Sequence, residues 1–452
     1  MTVNDVVATG GLSGEEDTLN SLVSEILGEA QKQGATAAEV SVTQDEGLAV
    51  TVRNEEIETV EFNQDRGFGI AVYVGKCKGS ASTSDSSIAA ISDTVRAALD
   101  IARHTQEDPA SGLADAERMA TLLPDLDLYH PMEMTTDQAV EIALECEKAG
   151  LGHDERIRNS DGVQVSSQQS CRVYGNSHGF IGSYLATRFG TSCVFIGEDD
   201  NGMQRDYWYT VARDFDVLDA PEAVGIEAAR RTVARLSPRK VATGSYPVLF
   251  SPQMASGLIS HLLGAISGGA LYRKASFLLD SMGQTVMAKD LTVVEEPHLS
   301  GRLGSAAFDG EGVGTWSKAF VEQGVVENYV LSSYSARKLE LETTGNAGGV
   351  HNVSLRGDAR PFASLLEGMG DGLYVTELMG QGVNGVTGDY SRGASGFWVE
   401  GGEICYPVDE VTIAGNLKDM LKNLVAIGDD VDLRLNVATP SVLVGELMVA
   451  GE

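Results

Sequence analysis

This chain of 452 residues is short of proline, cysteine, positive charge and long apolar runs, and each shortage excludes a class of protein. Eleven prolines beside 52 glycines argue against a disordered, proline-rich chain and for many tight turns between short strands. Thirty-three Lys and Arg stand against 65 Asp and Glu, for a net charge of −32. Nucleic acid would meet a repulsive field, because direct binding needs a basic face that releases counterions. The plain meaning of such acidity is a solvated, soluble surface; the sharper one is attraction of a basic peptide. The five cysteines, Cys77, Cys146, Cys171, Cys193 and Cys405, form no CxxC, which fits reduced thiols in a cytosol. No stretch approaches the roughly 18 apolar residues that span a bilayer. Met1–Gly14 has neither the basic start nor the apolar run of a secretion signal. Composition therefore predicts a cytoplasmic chain that binds neither membrane nor nucleic acid.

The pattern along the chain predicts an α+β fold: N-terminal helix/sheet units followed by a β-rich C-terminal domain with packed helices. Residues 1–17 read as a tail. An α+β domain over 18–108 opens with a helix from Thr18 to Gln33, stopped by Gly34. Short strands follow at Glu39–Val42, Leu48–Arg53, Ile57–Phe62, Gly69–Val74 and Lys78–Thr83, then a helix capped by Asp85–Ser87. A proline-broken linker covers 109–135. A central α+β region, 136–238, repeats the helix–strands–helix order, with helices at Thr136–Gly150 and Pro221–Leu236. The C-terminal domain, 239–452, starts with a strand, Tyr246–Phe250, and an apolar helix from Pro252 to Ile266. Glycine-punctuated strands fill the rest, with helices expected near Pro361–Met369 and Ala414–Ile427.

Three short motifs invite a chemical reading. A metallopeptidase helix carries two histidines a turn apart beside a glutamate, so that the imidazoles hold the metal and the carboxylate deprotonates its water. None of the seven histidines here pairs in that way, and none precedes a glutamate. Gly175-Asn176-Ser177-His178-Gly179 fits the GxSxG nucleophile elbow, which requires a strand feeding a helix. Phe180–Phe189 instead alternates like a second strand, and Asn-Ser-His-Gly is hairpin-turn chemistry. Gly380–Gly385 is a formal GxGxxG with no helix after it to hold a pyrophosphate. Paired carboxylates such as Glu295-Glu296 and Asp429-Asp430 read as surface, and Arg273-Lys274-Ala275-Ser276 as structural rather than as a kinase substrate.

Longer blocks say more. GALYRKASFLLD at Gly269–Asp280, SYSARKL at Ser333–Leu339, TGNAGGVHN at Thr344–Asn352 and GQGVNGVTGDYSRGASGFWV at Gly380–Val399 occur in order, with TIAGNLKDM at Thr412–Met420. VEFN, GSAST, GNSHG and LSPRK precede them. Together these resemble the PmbA (TldE) branch of the TldD/PmbA family over nearly the whole chain. The resemblance implies a cytosolic protein, formerly described as a modulator of DNA gyrase, that pairs with a TldD-type chain. The pair would form a metallopeptidase acting on unfolded peptides or peptide precursors, including microcin precursors and an antitoxin.

In that family the TldD-type chain carries HExxxH on the first helix of the C-terminal domain and a cysteine near the C-terminus. The corresponding helix here, Leu258–Gly269, places Ile259 and Gly264 where the histidines would be, with His261 between them. Asn436–Ser441, NVATPS, has no cysteine. No catalytic, cofactor-binding or metal residue carries over, and zinc is expected in the TldD-type partner. The leading reading is a non-catalytic subunit; an independent hydrolase and a regulator of gyrase are the alternatives. Extended peptide is expected to add to a strand edge of the β-rich domain. The candidate cleft residues are His261, Tyr272, Arg273, Tyr390, Ser391 and Arg392, where polar and aromatic groups interrupt apolar or glycine-rich runs. A homodimer of the isolated chain is a further candidate partner state.

Overall fold

Apolar and polar residues alternate from Ala37 to Arg53, and in the computed structural model, which describes residues 12–451, that whole stretch is one strand. The pairs of short strands expected at either end of two long segments are therefore continuous: β1 runs Ala37–Arg53 and β2 Glu56–Val74. Gly47, and Asn63 through Gly67, lack apolar character but stay in the ladder because β1 and β2 pair residue for residue across them. Before β1 lies helix α1 (Glu16–Lys32); the expected tail lies mostly in residues 1–11, outside the described residues.

β3 (Cys77–Thr83) and α2 (Ile88–His104) complete the first unit, with the Ser87 side chain capping α2 through the Ala90 N–H. The second unit comprises α3 (Thr136–Leu151), β4 (Ile157–Asn176), β5 (Ile181–Asp199), β6 (Gly202–Ala212) and α4 (Pro221–Ala234). All six strands form one antiparallel sheet in the order β3-β2-β1-β4-β5-β6. The two units are joined at the β1–β4 seam, which runs from Glu39 opposite Asn176 to Val52 opposite Val163.

One face of this sheet is apolar throughout. Val40, Val42, Phe68 and Val173 sit under α1 and α2, while Leu48, Val50, Val163 and Phe195 sit under α3 and α4. Two glycines let backbone meet backbone in this layer. A Cβ on Gly79 would lie 2.0 Å from Ala98 O of α2, and one on Gly225 of α4 would lie 2.1 Å from Cys146 O of α3. The other sheet face is polar and looks toward the C-terminal domain.

The C-terminal domain begins with β7 (Gly244–Phe250), α5 (Pro252–Ala265) and α6 (Gly268–Tyr272). Then come β8 (Thr292–Glu295), β9 (Lys318–Glu322), β10 (Val325–Val326), α7 (Ser333–Lys338), β11 (Val353–Arg356), β12 (Ala359–Arg360) and α8 (Phe362–Met369). The chain ends through β13 (Gly372–Met379), β14 (Asp389–Glu400), β15 (Glu403–Asn416), α9 (Leu417–Lys422), β16 (Leu424–Gly428), β17 (Val437–Ala438) and β18 (Val442–Ala450). Because β7 pairs with β13 on one side and β18 on the other, β7-β13-β14-β15-β18 closes into a ring. Its core takes in Val248, Phe250, Val375, Ile413 and Val444 together with the buried side of α5.

The helix expected over Ala414–Ile427 is shorter. Thr412–Asn416 pairs with β14 and Leu424–Ile427 with β18, so only Leu417–Lys422 is free to coil. Ladder hydrogen bonds on both flanks outweigh local helix propensity there. The segment between the two units has one 3-10 turn, Ala116–Arg118, and is held against α7. Tyr334 and Lys338 donate to Asp108, and Arg337 donates to the Leu113 carbonyl and to Asp115.

Candidate functional site

Pro252 at the first position of α5 supplies a fixed φ where an N–H has no helical partner. From there apolar spacing divides the helix. Ala255, Leu258, Ile259, Leu262 and Leu263 are buried, while Ser260, His261 and Gly264 face outward. Ile259 thus points into the core, and Ser260, His261 and Gly264 form the accessible face, with buried Ala265 beside them. These four, with Ala275, Phe277, Val383, Gly385 and Leu417, line a cavity of about 140 Å³. Asn436–Ser441 also reaches this helix: Thr439 Oγ1 donates to Pro252 O at 2.8 Å.

Three of the six candidate residues meet here. The rings of His261 and Tyr390 lie edge to face, 6.3 Å between centroids. Burial, then the charge of Arg392, hold the His261 pKa below its ordinary value, which favours the neutral imidazole. Arg392 Nε donates to Met379 O at 3.0 Å. Tyr390 is 2% exposed, its hydroxyl has no hydrogen-bond partner among the described residues, and burial pushes its pKa up to about 12.

The other three are placed elsewhere. Tyr272 packs edge to face on Tyr334 at 5.8 Å, and Arg273 stacks on Tyr272 and donates to its hydroxyl. Ser391 is exposed, and its backbone N–H binds Gly382 O.

Among the described residues, the cavity and its rim offer one imidazole, His261, and the hydroxyls of Ser260 and Tyr390, with a guanidinium nearby and no carboxylate in the lining. Such a set does not fit zinc, which takes imidazole, thiolate or carboxylate ligands, usually four in all. Among the described residues no three His, Cys, Asp or Glu side chains are grouped to hold a metal ion. The other two motifs are turns. Ser177 lies between β4 and β5, where its Oγ accepts the Ala38 N–H at 3.0 Å and no helix follows. Gly380–Gly385 lies between β13 and β14.

A larger cleft, about 600 Å³, separates the polar face of the six-stranded sheet from the C-terminal domain. Ser41, Thr43, Gln168 and Arg172 belong to its floor, and Asp309, Gly348 and His351 to its roof. The roof is held by a buried network. Glu295, fully buried, accepts from Lys318, from Asn346 Nδ2 at 2.8 Å and from the His351 N–H at 2.6 Å. Asp309 accepts the N–H groups of Glu311, Val313 and Ala347, yet burial raises its pKa to about 6. None of these residues stood out in the sequence. The usable signal was cation-bearing alternation in β4 and β5, where Arg172 and Arg188 interrupt apolar neighbours.

Known proteins share this arrangement. Residues 38–102, 129–236 and 243–451 match domain 1, the central domain and the C-terminal domain of the PmbA/TldA metallopeptidase family. The chain is 51% identical over 415 residues to Metalloprotease PmbA of Escherichia coli O157:H7, covering 92% of each protein. A crystal structure from Bacteroides thetaiotaomicron, described as a candidate modulator of DNA gyrase, is 27% identical. It superposes with a TM-score of 0.92, covering 97% of this chain and all of that one. TldE from Thermococcus kodakarensis, at 20% identity, shares the fold with a TM-score of 0.81 over 95% of this chain and all of its own. The chain belongs to the TldD/PmbA metallopeptidase family, on its PmbA branch.

Proposed function

We propose that this chain is the PmbA/TldE-like subunit of a cytoplasmic TldD/TldE-type metallopeptidase. It would present unfolded peptides or peptide precursors, while a TldD-type partner supplies the zinc and the hydrolysis. The observation that carries the reading is the face of α5. Where a catalytic relative would hold metal, this chain offers His261, Ser260 and Gly264 beside Arg392. A guanidinium close to a lone imidazole opposes a divalent cation, and metal binding to a full ligand set is worth on the order of 10 kcal/mol. Half-buried His261, backed by the buried Tyr390 ring, is better suited to packing against a peptide side chain. Ring closure occupies both edges of β7, so an extended peptide would be held across the cleft rather than added to the strand that feeds α5.

Elemental analysis and peptide cleavage test this together. The purified chain should hold no stoichiometric zinc and should stimulate cleavage only when a TldD-type chain is added. One tightly bound zinc per chain would defeat the proposal. The name of the Escherichia coli relative favours a second reading, an enzyme active by itself. Cleavage by the isolated chain, checked for co-purifying partner, would establish that. The description of the Bacteroides structure favours a third, a gyrase regulator, for which direct gyrase binding without any effect on proteolysis is the mark.

A further inference from the structure

The charge of this chain makes one place on it anomalous. Against a net charge of −32, three guanidinium groups, Arg172, Arg188 and Arg213, line the cleft between the sheet and the C-terminal domain. Arg172 and Arg188 come from the sheet floor, opposite Tyr184 and Gln168 in the β4–β5 register. Arg213 follows β6 and bridges floor to roof, donating from Nη1 to Thr187 O at 3.0 Å and from Nη2 to Leu303 O at 2.7 Å.

Little within the chain neutralises them. Asp45 lies 3.6 Å from Arg172, and Arg188 has no ion pair among the described residues. Asp309, the acid of the roof, is committed to three backbone N–H groups. The Nε of Arg213 is buried without a hydrogen-bond partner among the described residues. The three arginines line the same cleft, and burial, then the like charges of Arg188 and Arg172, lower the Arg213 pKa. A buried N–H left unpaired is costly, and like charges held close disfavour one another. An anion in the cleft would offset the like charges.

We propose that this cleft binds the C-terminal carboxylate of an extended peptide on Arg172, Arg188 and Arg213. This rests on the peptide-handling reading above and names the feature recognised. Guanidinium groups match a carboxylate with paired, charge-assisted hydrogen bonds. Ser41, Thr43, Gln168 and Ser170 carry the floor onward with hydroxyl and amide groups that pair with a main chain of any sequence. Gly348 and Gly349, at φ of +94° and +131° with open space at the Cβ position, let the roof backbone come close.

The test is fluorescence anisotropy of the full chain with one labelled, unstructured Gly/Ser/Ala decapeptide, made as the free acid and as the C-terminal amide. The free acid should bind about tenfold tighter, as one charge-assisted contact implies, and the preference should weaken with salt. Arg188→Gln and Arg172→Gln, both at exposed side chains, should keep the fold by circular dichroism and reduce free-acid binding to that of the amide. Equal binding of acid and amide to the wild type, or an undiminished preference in both variants, would overturn the carboxylate site and leave the peptide reading standing. No binding of either peptide would overturn both. Tighter binding of a phosphoserine-bearing amide than of the free acid would overturn the carboxylate in favour of a phosphate.

Discussion

Lys318→Met removes the cation from a carboxylate that has no contact with water. Glu295 is 0% exposed and the Lys318 side chain 4%, and Nζ also donates to Trp316 O and sits 4.5 Å from the Trp316 ring centre. Methionine fills nearly the same volume, so the loss is electrostatic and leaves little cavity. For two charges in contact at about 3 Å and an effective dielectric near 20, the Coulomb energy is about 5 kcal/mol. Breaking one side of a buried pair costs about 3–5 kcal/mol in practice. The N–H groups of Asn346 and His351 still bind Glu295, which sets the expectation near ~3 kcal/mol at neutral pH.

The pH dependence follows from the sign of the shift. Burial alone would raise the Glu295 pKa, but hydrogen bonding to His351 and the charge of Lys318 hold it below its ordinary value of 4.5. Its stabilisation in the native protein is therefore present above that value and lost as pH falls through the folded pKa. In Lys318→Met burial wins, and the folded pKa rises above the unfolded one. The contribution is then greatest in acid and lost as pH rises through the new pKa. The deficit against wild type should therefore widen as pH rises from the acid side of 4.5 toward neutrality.

Hydrogen exchange of residues 318–322 and 346–353 reads this locally, and urea titration followed by tryptophan fluorescence reads it globally. Glu295→Gln and the double variant complete a cycle whose coupling should be about 2 kcal/mol or more. A deficit below about 1 kcal/mol, flat with pH, would refute the claim that this pair is dry.

Four other outcomes are expected. Gly257→Ala, in the interior of α5 with nothing within 4 Å of the added Cβ, should raise stability by about 0.5–1 kcal/mol in a thermal melt. Alkylation mapped by mass spectrometry should modify exposed Cys405 first; Cys171, its pKa pushed up by burial to about 12, and buried Cys146 should react only on unfolding. Ser177→Ala should cost about 1 kcal/mol for the lost bond to Ala38, and a serine-directed phosphonate should label neither protein; labelling that Ser177→Ala abolishes would restore the nucleophile reading. Asp309, raised to about 6, favours the folded state in acid and loses that contribution as pH rises through its folded pKa, a slope in hydrogen exchange at 309–313 that Asp309→Asn should flatten.

Elements whose pattern is local were legible from the residues alone. The helices at Thr136–Leu151 and Pro252–Ala265 and the Asn176–Phe180 turn follow from periodicity, capping and turn chemistry. What escaped depends on long-range pairing. Gly47, Asn63 and Gln64 have no strand character by themselves, and only the β1–β2 ladder makes them strand. Ala414–Ile427 looked helical because its apolar spacing suits either form, and β14 and β18 decide it. The site divided in the same way. His261, Tyr390 and Arg392 were found because each interrupts an apolar or glycine-rich run. Glu295, read as surface because Glu296 adjoins it, is buried by partners 23 and 56 residues away.

The β1–β4 seam has a consequence for how the chain is made. Residues 37–53 find their second neighbour only when residues 163–176 have been synthesised. At roughly 5–20 residues per second, the first unit waits several seconds with fourteen backbone positions unpaired. An edge of that length is a template for another chain's strand. Nascent copies on one message are thus most vulnerable to mispairing in this interval, and a fragment ending near residue 110 should aggregate through the same strand.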